Sequence, residues 1–434
     1  MTAQGAQRKE KAMSEVKLGI ADKPTLDATY ENTQKIINAL GVDDYPVYGM
    51  CIHEASDLNP ATRVEYLGAN KDFTPMAMNM STHAMDYGSW ADWGWLKANV
   101  PVMANFDGGI NYYLNPEDYT KKADGSASDV SNIDYSGDAM AVIKKIYKKE
   151  YQHGHDRYVF FCEKQVDGDF LPVGFNVLGK VRDYMLIPMF YGSVDSSGRI
   201  RSIAGQWSHG TITDKNTDAQ NTAVKAASAN TLFYGGPLVE TINDICVMLT
   251  KNSDSQAAFG GGMCSSYVNN VSQHYGTKAN AVIGGGRFYG SNDNKSFNKV
   301  FHSCVHGSYM LWQRDPYMVS ANGRIKVSTD YTYDLTGAKY LDTGVSIPGH
   351  NYYAATQSVK GFGGVPSPDV IGSTALGYCD HTWMNAGITA VSLRFGHCDG
   401  ALDGGFRALG LADAAGSAYG DVGASKLLPA PAAT

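Results

Sequence analysis

The sequence predicts an α+β domain, rich in loops and short strands, preceded by a short helical arm. Three observations carry that reading. After Tyr45 the chain runs as short apolar stretches broken by Gly, Asn, Asp and Pro, the pattern of strands and turns. Helical spacing is clear in only two places, one in the first 44 residues and one near residue 240. Charged residues are only 18 % of the 434, whereas Gly numbers 48 and Tyr 27, a mixture that favours irregular segments over long helices.

Each element follows from local chemistry. Residues 1–44 read as a separate arm that could dock on the body or on a partner: Ile36, Ile37 and Leu40 recur at helical spacing, and Gly41 supplies a C-terminal cap. The remainder, 45–434, reads as one domain. Residues 45–52 and 63–68 are apolar runs bounded by turn formers and are expected to be strands. Residues 141–147 fit either a helix or a strand, but the turn at 152–156 followed by alternating Tyr158, Val159, Phe160 and Phe161 favours a hairpin. The best helix of the body spans 237–250, with a proline at its start and Leu238, Ile242, Ile245, Cys246 and Leu249 on one face. No repeat of 20 to 50 residues and no heptad pattern occurs, which sets aside solenoids, propellers and coiled coils.

Composition excludes several functions. Lys and Arg total 36 against 43 Asp and Glu, a net charge of −7, so a nucleic-acid partner is not expected. No apolar run reaches the roughly 18 residues of a membrane span, and the charged first 20 residues do not read as a secretory signal, so no membrane insertion is expected. The cysteines at 51, 162, 246, 264, 304, 379 and 398 are odd in number and contain no Cys-x-x-Cys pair. Buried reduced thiols are expected, rather than a disulfide framework or a zinc site.

The motifs that carry catalysis elsewhere are incomplete here. His302 and His306 stand four apart, but Ser303 occupies the place of the metalloprotease glutamate. The glycine run at 284–286 lacks G-x-G-x-x-G spacing and is followed by bulky Phe288 and Tyr289; the run at 260–262 reads the same way. Around Ser208 there is no G-x-S-x-G elbow, and Cys379-Asp380-His381 is a neighbourhood in sequence only. The Glu-Pro-Asn, Gln-Pro-Asp and Trp-Asn-Asp signatures of lectin calcium sites are missing. The expectation is no catalytic residue, no metal and no cofactor.

The C-terminal segment is different in texture. An apolar frame of Val391, Leu393, Phe395, Phe406, Leu409, Leu411, Val422 and Leu427 is interrupted by residues of no consistent chemistry. This segment resembles the variable region of target proteins of diversity-generating retroelements, in which L-R-F/G-G, G-A, G-x-F, L-x-L, A-A-x-x-A and a closing I/V-G-A/F-S/R surround substitutable sites. The resemblance rests on Leu393-Arg394-Phe395-Gly396, Gly400-Ala401, Gly405-Phe406, Ala414-Ala415 and Val422-Gly423-Ala424-Ser425. Looser similarity to phage tail-associated members runs through residues 112–119, 198–205 and 307–316. One departure is the closing Gly423-Ala424-Ser425, where Gly-Phe-Arg is common elsewhere.

The resemblance implies a C-type lectin fold of the formylglycine-generating-enzyme-like kind, used for receptor binding without catalysis. It implies a variable region at about 391–428, with substitutable ligand-binding positions His397, Cys398, Asp399, Asp403, Gly404, Arg407, Gly410, Asp413, Ser417, Tyr419 and Asp421. These are expected on one solvent-facing surface, with Arg407 and Tyr419 as anchors because Arg and Tyr are enriched at binding hot spots. The implied partners are a bacterial surface receptor, protein or glycan, and other virion proteins, with a homo-oligomer such as a trimer also in view. The implied location is a phage tail assembled in the host cytoplasm. Two alternatives stay open: a formylglycine-generating-enzyme-like oxidoreductase, and an invariant structural tail protein.

Overall fold

In the computed structural model, which describes residues 45–208, 210–264, 284–293, 297–361 and 363–431, the alternating apolar runs form three main sheets. Their strands in chain order begin with β1 (Tyr48–His53), β2 (Val64–Gly68), β3 (Pro101–Asn105), β4 (Ile110–Asn115), β5 (Asp118–Lys122), β6 (Gly137–Lys144), β7 (Tyr147–His153), β8 (Asp156–Cys162), β9 (Tyr184–Pro188) and β10 (Leu232–Phe233). They continue with β11 (Trp312–Ala321), β12 (Arg324–Val327), β13 (Leu341–Ser346), β14 (Tyr352–Ser358), β15 (Val365–Ile371), β16 (His381–Met384), β17 (Ala390–Arg394), β18 (Leu409–Leu411), β19 (Val422–Gly423) and β20 (Lys426–Pro429). The expected strands at 45–52 and 63–68 are β1 and β2. The expected helical arm at 1–44 lies outside the described residues, and Val47–Thr434 forms one unit.

The first sheet has the order β2-β1-β8-β7, and its β7–β8 hairpin turns on Gly154 at φ +62, a left-handed conformation that glycine adopts without steric cost. The second is β10-β20-β9-β6-β3-β4-β5, so the C-terminal strand β20 is paired on both sides. The third is β13-β12-β11-β17-β18-β16-β14-β15, with β19 running parallel to β11. All ten residues of β11 are buried, and its pairing with β17 shifts register between Asp315 and Val319, around Pro316, which has no N–H to give.

Two helices exceed two turns among the described residues. In α1 (Thr217–Ala227) the Asn216 side chain accepts a hydrogen bond from the Ala219 N–H and so caps the helix. The second, α2 (Gly236–Thr250), is the helix expected at 237–250. Its expected apolar face is present, with Leu238, Ile242, Ile245 and Leu249 fully buried at about 1.5–3 kcal/mol each. The opposite face is buried as well, because Glu240 and Asp244, one turn apart, meet cations instead of water. At its start the Gly236 N–H donates to the Asp315 carboxylate of β11 at 2.9 Å, and Gly235 has no room for a Cβ beside that carboxylate. None of the described helices is long and apolar enough to cross a membrane.

The result is α+β in coarse form, with sheet dominant and helices few. Between α2 and the sheets lies a buried ionic network in which five cations (Arg63, Lys148, Arg157, Arg394, Arg407) match five acids (Glu54, Glu150, Glu240, Asp244, Asp315). Arg157 reaches Asp244 at 2.5 Å and Glu150 at 2.5 Å, and Lys148 reaches Asp244 at 2.6 Å. Burial alone would push the Asp244 carboxyl up, but Arg157, Lys148 and Arg407 hold it well below the ordinary carboxylate range.

Candidate ligand-binding face

Every residue of the expected C-terminal frame is buried: Val391, Leu393, Phe395, Phe406, Leu409, Leu411, Val422 and Leu427. Alternation along β17 divides the motif 393–396 between two sides. Arg394 points inward, where it donates to Asp315 at 3.0 Å and pairs with Glu240 of α2. Leu393 points outward and is in register with Gly410 of β18 and Arg314 of β11, while Gly410 is in register with Trp383 of β16. Phe395 at φ +76 and Gly396 at φ +98 then turn the chain out of the strand and carry His397 to the outer side.

On that outer side the sheet carries a continuous row of rings. Tyr353 meets His381 edge-on at 4.6 Å, His381 meets Trp383 at 4.3 Å, Trp383 meets Trp312 at 5.1 Å, and His397 stacks on Trp312 at 5.6 Å. Trp312, Leu393 and Val422 pack together beneath Trp383, and Gly410 leaves the floor between Trp383 and Leu393 flat. Polar groups flank the row. His397 Nδ1 pairs with Asp399 and lies 3.3 Å from Asp421, and the Tyr353 hydroxyl donates to Asp403. Burial raises the Asp421 carboxyl, His397 counteracts that, and Asp399 and Asp413 reinforce it.

A second group gathers on Arg314, whose guanidinium donates to Gln220 at 2.8 Å and to the Ser417 carbonyl at 3.0 Å. Burial pulls the Arg314 guanidinium down to about 10, against the opposing charges of Asp413, Tyr333 and Tyr419. Tyr419 itself is 46 % exposed. Of the eleven expected positions, His397, Asp399, Asp403, Gly410, Asp413, Ser417, Tyr419 and Asp421 thus border this one outer face.

Four expected positions do not face solvent: Gly410 is buried in the floor of the face, and three others lie inside. Arg407 is buried in the ionic network, pairing with Glu240 at 3.0 Å and with Asp244, because α2 presents two carboxylates that it shares with Arg394, Arg157 and Lys148. Cys398 is 5 % exposed, its N–H held by the Met310 carbonyl at 3.0 Å. Gly404 is buried, its carbonyl accepting from Gln256 at 2.7 Å. The anchor role expected of Arg407 is therefore corrected to an interior one. Trp312, Trp383, His381, Tyr353 and Arg314 were not anticipated. Alternation in Trp312-Gln313-Arg314 and His381-Thr382-Trp383 was the available signal, since every second residue shares a face.

The other motifs resolve into structural roles. The Tyr119 hydroxyl lies 2.8 Å from His302 Nδ1 and the Tyr234 hydroxyl 2.7 Å from His306 Nδ1, each ring fully buried, with His302 preceding rather than joining the short helix Cys304–Ser308. Gly284, Gly285 and Gly286 are all left-handed, with Gly284 and Gly286 against Glu117 and Gly285 against the Lys299 amine, which donates to the Gly284 carbonyl. Cys379 and Asp380 point inward while His381 joins the outer row, so the three do not converge. The six cysteines whose side chains are described are buried and form no disulfide with one another. No protein-family model matches the chain, and none of the curated proteins compared with it shows significant similarity.

Proposed function

We propose that this chain is a non-catalytic ligand-binding protein that recognises its partner through the outer face of the C-terminal segment 391–428. One observation carries the reading: the apolar frame is wholly buried, and eight of the eleven interchangeable positions border a single aromatic face. A fixed backbone under variable side chains lets contacts change without unfolding the protein, the logic of antibody paratopes. Half-buried rings give contact area at low entropic cost, and Asp399, Asp403 and Asp421 supply acceptors at the rim.

On this reading the chain is the target protein of a diversity-generating retroelement, with a C-type lectin fold of the formylglycine-generating-enzyme-like kind. It serves as a receptor-binding component of a phage tail, its receptor is a protein or glycan of a bacterial surface, and the arm at 1–44 attaches it to other virion proteins. The test is genetic and specific to position. The source DNA should hold, beside a reverse transcriptase gene, a near-copy of the coding region for 391–428. That copy should be adenine-rich at the codons for 397, 399, 403, 410, 413, 417, 419 and 421, and unaltered at 394 and 407. A region with no near-copy, or one whose adenines fall on the frame codons, would overturn the proposal.

A further inference from the structure

On the first sheet, three strands bring together side chains of different metal-ligand types. Cys51 and His53 stand two apart on β1 and share a face, and Asp156 of β8 is paired directly opposite His53. Cys51 Sγ lies 3.9 Å from His53 Nδ1, and Asp156 Oδ1 lies 3.1 Å from the same nitrogen. All three ligand atoms fall within 4.8 Å of one another. Tetrahedral zinc, with bonds of about 2.3 Å to sulfur and about 2.0–2.2 Å to nitrogen and oxygen, needs ligand atoms about 3.3–3.6 Å apart. The Cys51–His53 separation exceeds that range by about 0.3 Å and the His53–Asp156 separation falls short of it by about 0.2 Å.

The other nitrogen of the ring fits the same reading. Glu65 of β2 is in register with Cys51, and its Oε2 lies 3.6 Å from His53 Nε2. With a cation on Nδ1 in place of the hydrogen bond to Asp156, the remaining ring proton sits on Nε2, on the side of the Glu65 carboxylate, the arrangement that supports metal-bound histidines. Cys51 is buried, while the side chains of His53 and Asp156 are 30 % and 34 % exposed, so a cation has a path from solvent and a fourth position open to water.

We infer that Cys51, His53 and Asp156 form a binding site for a divalent cation of the zinc class, with Glu65 as the positioning residue behind His53. Binding replaces the thiol proton: one Zn²⁺ enters, one proton leaves Cys51, and a thiolate, a neutral imidazole, a carboxylate and a water complete the shell. The site is separate from the C-terminal face and stands whether or not that face binds a receptor.

Cobalt(II) titration of the full-length protein tests the inference. A single equivalent should produce a near-ultraviolet thiolate-to-cobalt band with visible bands of tetrahedral coordination, and added zinc should abolish both. C51S should lose the near-ultraviolet band, H53N and D156N should each weaken binding at least tenfold, and E65Q should weaken it about 10–100-fold while keeping the spectrum. His53 and Asp156 are partly exposed, so these two variants stay informative if C51S fails to fold. Absence of a thiolate band in the native protein, or its persistence in a folded C51S or unchanged affinity in H53N, would sink the assignment.

Discussion

Arg407 and Tyr419 show how differently two neighbouring residues of one segment are constrained. Removing the Arg407 side chain leaves Glu240 and Asp244 short of a buried cation, a situation that costs about 3–5 kcal/mol when one partner of an interior pair is deleted. Tyr419 is nearly half exposed, and its truncation should stay within about 0.5 kcal/mol. Urea denaturation of R407A and Y419A should separate them cleanly, and a Y419A protein destabilised as severely as R407A would contradict this account. The sequence made Tyr419 legible as a surface residue but not Arg407 as an interior one. An arginine among Gly and Ala looks like a contact residue until α2 is known to aim two carboxylates at it. The same holds for the metal-ligand group, since Cys51 and His53 are close in sequence but Asp156 arrives only through the β1–β8 pairing.

At the scale of elements, two glycines of the variable segment make opposite demands. Gly405 sits so close to the Asp380 carboxylate and Ser255 that a Cβ would land on them, and the Arg407 N–H also relies on Asp380 at 2.8 Å. Gly410 lies mid-strand in β18, and its Cβ would meet Leu393 at 3.3 Å, a contact that a few tenths of an ångström of movement relieves. G405A should therefore lower the melting temperature by well over 10 °C or abolish soluble expression, whereas G410S should shift it by only a few degrees. Thermal denaturation of both variants checks this, and equal losses would show that the β18 floor is as crowded as the Gly405 turn. Strands, the β7–β8 hairpin and α2 were readable from periodicity and turn residues. The full burial of α2 was not, because a polar face of Glu240, Asn243 and Asp244 reads as solvated unless matching cations are known to come from β7, β8, β17 and the 405–408 loop. The flat aromatic face was hidden for a similar reason: its rings come from β11, β14 and β16, and only sheet register aligns them.

For the molecule as a whole, buried ionisable groups tie folding to proton uptake. Burial lowers the His306 imidazole to about 3 and pushes His302 well below its ordinary value, so both rings stay neutral when folded but charge near pH 6.5 when the chain unfolds. The unfolded chain thus binds more protons below that pH, and the folded state loses about 1.4 kcal/mol per pH unit for each such histidine as acid is added. Asp244, held low, adds to this loss only below about pH 4, where its unfolded counterpart takes up a proton. Asp380 acts in the opposite sense: burial raises its carboxyl, and its stabilising protonated form is forfeited as pH rises. The slope of the native protein is therefore a balance, and one histidine is isolated only by difference. In H306Q the glutamine carbonyl still accepts from the Tyr234 hydroxyl, but no group titrates at that position. Between about pH 6.5 and 5, urea-derived stability of the native protein should fall about 2 kcal/mol further than that of H306Q. Parallel curves for the two proteins across that interval would mean that His306 is protonated in the fold, and that the core around Tyr234, Phe395 and Phe406 admits a charge its packing gives no means to hold.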